Sequence, residues 1–574
     1  MENRKVAEVF DEIADLLDLQ GVAFKPVAYR RAARNIESME DSITDLVAAK
    51  AVEDIPGVGK AMAKKIEELV TTGRLEYLET LRSEVPKGLV ELLRVPDVGP
   101  KTALVLFKEL GISSVDQLKE AAANHKLRGI KGFGQKTEER LLQGIRALES
   151  KGQRMLLGQA CPVGEAYVRY LKEAESLDMV SVAGSLRRGK ETVGDIDILV
   201  GDDQPERVMD AFVGYPEVAD VLAKGPTKSS VRLKGGLQVD IRVVETKSWG
   251  AALNYFTGSK EHNVELRRIG VAMGLKLNEY GLFERDSGKM VAGATEEEVY
   301  KALGLRYIEP ELRENSGEIA AAREDRLPRL VSREDIRGDF HVHTDWTDGQ
   351  PSVEAVVQQA IEMRYEYIGV TDHSESLKFV GGLDPDKLRK QIVAIRKVQD
   401  NVGNEIRVLA GSEVDIRSDG SLDFSKQLLG ELDVVIASVH SRFKMEKEEM
   451  TARVVTAIGS GDIDILGHPT GRLIGERPGY ELDLDKVFEA AKGAGVCMEI
   501  NSFIDRLDLG DVNCRKAKDA GVVMALGTDA HRLEQMDFMR YGVITARRGW
   551  LGPGNVLNTV RGRDIAKRLR GRRS

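Results

Sequence analysis

The sequence predicts a multidomain protein of mixed α+β and α/β class, and three observations carry that prediction. The first 150 residues read as short amphipathic helices separated by glycine-containing turns, with little β-branched alternation. From about Val180 the texture changes to apolar β-rich runs such as 195–200 and 238–244, separated by helical stretches. After residue 336, seven strand-like runs ending in polar clusters (339–344, 368–373, 408–414, 434–440, 463–468, 496–501 and 523–528) alternate with helices, the pattern of a βα barrel. At 574 residues the chain is longer than one hydrophobic core usually supports, which agrees with several domains.

Bulk properties exclude some classes. With 42% hydrophobic and 31% charged residues the composition is that of a globular protein, and no run approaches the roughly 20 apolar residues that span a membrane. Residues 1–5 running into an amphipathic 6–19 do not form a signal peptide. The chain is therefore expected in the cytoplasm, without a membrane partner. Cys161, Cys497 and Cys514 are too few and too scattered for a disulfide framework, and are expected to be reduced. A net charge of -9 argues against wholesale coating of nucleic acid, but it averages over domains, so local motifs decide.

In the helical segment, Gly57 and Gly59 form a Gly-x-Gly hairpin that aims backbone N–H groups at a phosphate beside a helix N-terminus. The pattern recurs at Gly99 and again at Gly132 and Gly134, which is stronger evidence than one copy. The second copy carries Asp97 where its first glycine is expected. One copy alone could be a plain turn between helices. Contacts of this kind hold DNA by its backbone and read no sequence.

In the α/β segment, Asp195 and Asp197 stand two apart on a strand, so they share a face while Ile196 and Ile198 point into the core. Asp240 lies in a second apolar strand. Three carboxylates can hold two magnesium ions together with substrate phosphates. The preceding run is what makes the pair specific. Ser185 and Arg188 can hold β- and γ-phosphates, and glycines such as Gly184 and Gly194 let the backbone approach them.

In the barrel segment, six of the chain's eight histidines fall after residue 340. His341 and His343 share one strand face and Asp348 follows on the loop. His373, Glu413, His440, His468, Asp529 and His531 come at successive strand ends, where a barrel builds its site. Imidazoles and carboxylates together suit zinc, manganese or iron, and several ions bridged by carboxylate can activate water for phosphoester hydrolysis. Asp372, Glu499 and Asn501 are spaced to orient these ligands.

These motifs, in this order, resemble the bacterial-type family X DNA polymerases (polymerase beta-like) over about residues 1–312, and the polymerase-and-histidinol-phosphatase (PHP) domain over about 336–570. The resemblance implies helical helix-hairpin-helix N-terminal domains, a nucleotidyltransferase palm with thumb, and a distorted seven-stranded barrel with a trinuclear site. The implied division is a lyase-like domain at 1–85, fingers at 86–150, palm at 151–244, thumb at 245–314 and the PHP barrel at 336–574. The charged stretch 315–335 is read as a linker from its composition. Lys65 falls on the Schiff-base lysine that removes a 5′-deoxyribose phosphate, beside Lys64, with Lys25 and Tyr29 on phosphate and sugar contacts. An exposed helix lysine touching phosphate is the other reading of Lys65. Tyr255 and Phe256 fall against the incoming sugar, Gly258 among the nucleotide-binding positions, Asn263 on the minor-groove edge of the new base, and Arg267 on the template. Lys260 departs from the acidic residue of polymerase beta.

The expected cofactors are Mg2+ or Mn2+ in the polymerase site and three divalent ions, Zn2+ or Mn2+, in the barrel. The expected partners are gapped or primed DNA and dNTPs, with the protein acting as a monomer. The favoured function is gap-filling synthesis in DNA repair with 3′-5′ exonuclease or 3′-end processing by the barrel. A small-molecule phosphatase barrel and a non-catalytic DNA-binding scaffold are the alternatives.

Overall fold

The computed structural model describes residues 3–570 apart from 21, 23, 40–42, 86–88, 90, 91, 94, 96, 97, 131, 132, 136, 139, 143, 144 and 146–153. The chain divides into two compact units, 1–153 and 154–574. Among the described residues no helix is long and apolar enough to cross a membrane.

The first unit is helical: α1 (Asn3–Leu19), α2 (Lys25–Ser38), α3 (Ile43–Ala48), α4 (Lys60–Thr72), α5 (Glu76–Glu84), α6 (Pro100–Leu110) and α7 (Val115–Ala123). In α1 the stripe Val6, Phe10, Ile13 and Leu17 recurs at helical spacing and is buried. It packs on α2, α5 and α6. Residues from Val6 to Ile145 share one apolar core, so helices on both sides of residue 85 pack as one body. A segment of some 75 residues alone would bury too little surface to be robust.

The second unit opens with β1 (Met155–Leu156) and α8 (Leu157–Glu175), then β2 (Val180–Val182), α9 (Gly184–Arg187), β3 (Thr192–Val193), β4 (Asp195–Gly201), α10 (Pro205–Val213), β5 (Val218–Lys224), β6 (Lys228–Leu233) and β7 (Gln238–Val244). Five strands form a sheet in the order β2-β4-β7-β6-β5, with β4 and β7 parallel and the other pairs antiparallel. Ile196, Ile198, Val239 and Ile241 fill its core. Next come α11 (Trp249–Thr257), α12 (Lys260–Ala272), the small sheet β8 (Leu275–Asn278), β9 (Gly281–Glu284) and β10 (Met290–Ala292), and α13 (Glu296–Ala302). The stretch 315–335, expected as a linker, is instead packed. It contains α14 (Glu318–Arg323), and Ile319, Ala321, Ala322, Leu327 and Leu330 join the core of the preceding segment. Most of its charges lie on the outer face, while Glu318 and the short apolar runs bury inward, a division that composition alone hides.

The barrel alternates β11 (Gly338–Asp339), α15 (Val353–Glu362), β12 (Tyr367–Val370), α16 (Pro385–Val402), β13 (Arg407–Asp415), α17 (Lys426–Leu429), β14 (Val434–Ser438), α18 (Lys447–Gly459), β15 (Ile465–Leu466), α19 (Leu484–Ala494), β16 (Cys497–Asn501), α20 (Asp511–Ala520), β17 (Met524–Gly527), α21 (Met539–Arg548) and α22 (Gly562–Arg570). Seven parallel strands stand in sequence order, and a bridge between Val342 and Ala530 draws the first strand towards the last. Each predicted strand run falls on an observed strand. The basic stretch near the C-terminus forms α22 up to Arg570. Ile565 and Leu569, four apart on one face, are buried with Tyr367 and Leu409 in the barrel's own apolar cluster.

Candidate active sites in the palm and the barrel

In the first unit, Gly57 has φ 87°, a conformation that glycine adopts without penalty, and the side-chain amide of Asn35 donates to the carbonyl of Pro56 beside it. Gly59 and Gly99 occupy the N-cap positions of α4 and α6 without a side-chain cap, and Gly134 opens a helical turn towards Glu138. A Cβ at any of these three would meet open space, so a phosphate has room at each hairpin. Gly132 lies outside the described residues. Lys25 is exposed at the start of α2. Tyr29 is a core ring between Phe10 and Tyr77, at centroid distances of 5.3 and 6.4 Å, and burial pushes its hydroxyl up to about 12. Lys65 is half-buried, its Nζ 4.5 Å from the Tyr77 ring centre and 3.3 Å from the carbonyl oxygen of Ala61, whereas Lys64 is exposed.

The palm carboxylates come together because β4 and β7 run parallel in a register that pairs Asp197 directly with Asp240. Asp195 lies one pleat earlier on the same face as Asp197. Gly184, with φ 59°, permits their approach to the loop. A Cβ there would stand 2.1 Å from Asp197 Oδ2. Burial first, and then the Asp195 and Asp240 carboxylates, push Asp197 up to about 7, an excess of negative charge that hard divalent cations would relieve. The loop around α9 is anchored from the following segment. Arg187 makes a bidentate pair with Glu296 at 2.9 and 2.6 Å, and buried Arg313 pairs with the same carboxylate at 2.6 Å. Burial opposes ionisation of Glu296, but the two guanidinium groups overcome it and hold the carboxyl at about 2.

Arg188 donates from Nη1 to the carbonyl of Thr257 and pairs through Nε with Glu314 at 3.1 Å. Ser185 sits in α9 and Gly194 just before β4. Tyr255 and Phe256 meet edge to face at 5.1 Å at the end of α11, and Gly258 follows with φ 71°. Asn263 donates from Nδ2 to the carbonyl of Tyr255 at 2.7 Å, and Arg267 Nε is 3.3 Å from the Asn263 carbonyl oxygen. Lys260 is exposed at the first position of α12. Arg188 thus links the loop before β4 to Thr257 and Gly258 at the end of α11.

All nine barrel candidates gather at the C-terminal ends of the strands. Three groups have ligand atoms within 4.8 Å of one another: His343, Asp348, His373 and His531; His341, His343 and Asp529; and His373, Glu413 and His440. Glu413 is central. Its oxygens lie 2.8 Å from His373 Nδ1, 3.2 Å from His440 Nε2, 2.8 Å from His468 Nε2 and 3.5 Å from His341 Nε2. His341 Nε2, both ring nitrogens of His343 and Glu413 Oε2 are buried without a hydrogen bond, so inward-facing donor atoms fit the demand of metal ions. His468 and Asp529 take positive φ angles of 23° and 55°, which for a non-glycine marks a position held by its surroundings. Burial beside His373 and His531 pushes His343 down to about 3. His373 rises to about 10 because Glu413 and Asp348 outweigh its burial.

Of the three residues spaced to orient the candidate ligands, Glu499 and Asn501 touch them and Asp372 does not. Glu499 accepts at 2.7 Å from His341 Nδ1 and at 2.6 Å from the backbone N–H of His468. Asn501 donates to Asp529 at 3.0 Å, and Asp372 accepts from Thr344, Thr347 and Gln391, away from the ligand atoms. Sequence reasoning missed two further supports. Asp415 faces His440 Nδ1 at 3.1 Å, and Arg506 reaches Asp529 at 3.4 Å. The first was available from the strand, since Asp415 shares a face with Glu413 two residues earlier. Nothing in the sequence around Arg506 points to Asp529.

This combination of hairpins, paired strand carboxylates and a barrel ligand cluster defines the class as a bacterial-type family X DNA polymerase with a C-terminal PHP domain. The chain belongs to the PolX family. It is 36% identical over 568 residues, 98% of its length and 99% of the relative's, to the DNA polymerase/3′-5′ exonuclease PolX of Bacillus subtilis (strain 168). Residues 1–75 match the helix-hairpin-helix domain, 89–147 the SAM-like helix-hairpin-helix tandem, 252–314 the DNA polymerase beta thumb and 339–503 the PHP domain. DNA polymerase lambda of Rattus norvegicus is 27% identical over 54% of this chain and 56% of its own length. A probable phosphatase of Thermoanaerobacter sp. (strain X514) is 31% identical over 34% of this chain and 78% of its own. Both families are metal-dependent.

Proposed function

We propose that the protein is a template-directed DNA polymerase that fills short gaps in DNA repair and trims 3′ ends with its barrel. The direct register of Asp197 on Asp240, beside a loop carrying Ser185 and Arg188, is the observation that carries the synthetic half. We take Asp195, Asp197 and Asp240 to hold Mg2+ or Mn2+, and the nine barrel ligands to hold three ions, Zn2+ or Mn2+. Ions so held would lower the pKa of a primer hydroxyl in the palm and of water in the barrel, and would neutralise the phosphates between them.

The chain's own groups supply the rest. Arg188, Ser185 and the loop backbone bind the triphosphate, with Lys260 at its edge. Tyr255, Phe256 and Gly258 shape the sugar pocket, while Asn263 and Arg267 contact the base pair and the template. Lys25 and the hairpins at Gly57, Gly59, Gly99, Gly132 and Gly134 grip the DNA backbone. Lys65 is the candidate for 5′-deoxyribose phosphate removal, with Tyr29 lending its buried ring to the packing behind it. We assign 1–85 and 86–150 to lyase-like and fingers roles, 151–244 to the palm, 245–314 to the thumb and 336–574 to the barrel.

The test is a 5′-phosphorylated one-nucleotide gap with a labelled primer, followed with and without dNTPs in magnesium or manganese. Extension with dNTPs and shortening without them are expected. A primer unchanged under both conditions would remove the reading. The likeness to a probable phosphatase favours a second reading for the barrel, hydrolysis of small phosphomonoesters. Release of phosphate from such esters with no shortening of the primer would select it.

A further inference from the structure

Away from the two ligand clusters, the phosphate loop of the palm rests directly on the barrel. Gly189, at φ 65°, lies against α21: a Cβ there would stand 2.2 Å from Ile544 Cγ2. Arg548, four residues on along the same face of that helix, is only 6% exposed and donates from Nη1 to the carbonyl oxygen of Arg188 at 2.7 Å. Its other partner within the barrel is Asp511, at 2.6 Å. The same guanidinium is 3.1 Å from Glu314 Oε1, and that single oxygen is also 3.1 Å from Arg188 Nε and 3.6 Å from Lys190 Nζ.

Three cations therefore compete for one half-buried carboxylate, where reduced solvent screening makes each pairing stronger than at an open surface. Arg188 is the one among them that the proposed function assigns to the triphosphate. A guanidinium held by Glu314 and by the Thr257 carbonyl has to yield part of that hold to bind phosphate. How firmly Glu314 holds it depends on how much of the carboxylate's field Arg548 already neutralises.

We propose that Arg548, a barrel residue, is a positioning residue for nucleotide addition in the palm: by sharing Glu314 it sets how freely the Arg188 side chain can turn to a triphosphate. The proposal rests on the reading of Arg188 as a triphosphate ligand. It makes the barrel a working part of the polymerase site through a contact that no barrel ligand shares.

The test uses the full chain on the one-nucleotide gap, with KM for dNTP and kcat measured separately. Arg548→Met leaves Glu314 wholly to Arg188 and Lys190, so KM is expected to rise about five- to tenfold, the low end of coupling between sites, with a smaller change in kcat. Glu314→Gln frees Arg188 and is expected to lower KM. The double variant should match Glu314→Gln alone, because the effect of Arg548 passes through Glu314. Arg548→Lys, which keeps the charge, should recover most of the wild-type KM. Primer shortening without dNTPs should be the same in all four variants. An unchanged KM in Arg548→Met, additive effects in the double variant, or a parallel loss of extension and shortening would overturn the proposal. Absence of extension by the wild-type protein would instead remove the polymerase reading beneath it.

Discussion

The Glu296 carboxylate shows how one residue ties two segments together and what that tie costs to break. Its folded value near 2 lies below the ordinary 4.5 because Arg187 and Arg313 outweigh its burial. A depressed carboxyl contributes stability that is complete above about 4.5 and lost as pH falls towards 2. The difference corresponds to something on the order of 3 kcal/mol. Urea unfolding of the wild type should therefore weaken across that window more steeply than that of Glu296→Gln. At pH 7 the variant should be the less stable, because buried Arg313 and partly buried Arg187 lose their counter-charge. Parallel pH profiles for the two proteins would show that the pair contributes no linkage. The same scale holds the clearest test of the barrel ligands. His341→Ala removes a donor near both Asp529 and Glu413, so bound metal should drop and 3′ shortening should fall by orders of magnitude while gap extension persists. Persistence of shortening in this variant, with its loss in Asp195→Ala, would move the nuclease to the palm.

At the scale of elements, most of the architecture was legible in the sequence because two periodicities carried it. Alternation placed Asp195 and Asp197 on one strand face and Asp240 in a second strand, and a polar residue at each strand end marked the barrel's candidate ligands. What stayed hidden depended on partners distant in the chain. Composition gave 315–335 as a linker, although Glu318 is fully buried against His262 at 2.7 Å, 56 residues away. The charged C-terminus concealed Ile565 and Leu569, whose apolar face is visible only once the helix is known. Tyr29, taken for a DNA contact by resemblance, is a core ring. Helical packing in the first unit yields its own prediction. Phe10 is fully buried against Tyr29, so Phe10→Ala should destabilise that unit by about 3–5 kcal/mol, read by chemical unfolding of the whole chain. The transition assigned to residues 154–574 should not move, because that unit has its own cores.

For the molecule as a whole, the candidate metal ligands and the hairpins proposed to grip DNA are divided between the two units, and this division can be tested by cutting between them. Every candidate ligand of both metal sites lies within 154–574, and each hairpin glycine lies within 1–153. The second unit contains complete apolar cores for the palm, the following segment and the barrel, which predicts that it folds alone. Chemistry requires the ligands, and affinity requires the phosphate contacts, so a fragment beginning at Arg154 should keep one and lose most of the other. Its primer shortening and gap extension should approach those of the full chain at saturating DNA, whereas its DNA dissociation constant should rise and depend less steeply on salt, since backbone contacts release counterions in proportion to their number. Titrating labelled gapped DNA against both proteins between roughly 50 and 200 mM salt, the range over which such contacts lose most of their affinity, measures both quantities. Equal salt slopes would mean that the hairpins contribute nothing to binding. A fragment inactive at saturating DNA would mean that the first unit supplies more than a grip, and Lys65, in that unit, would be the first residue to replace.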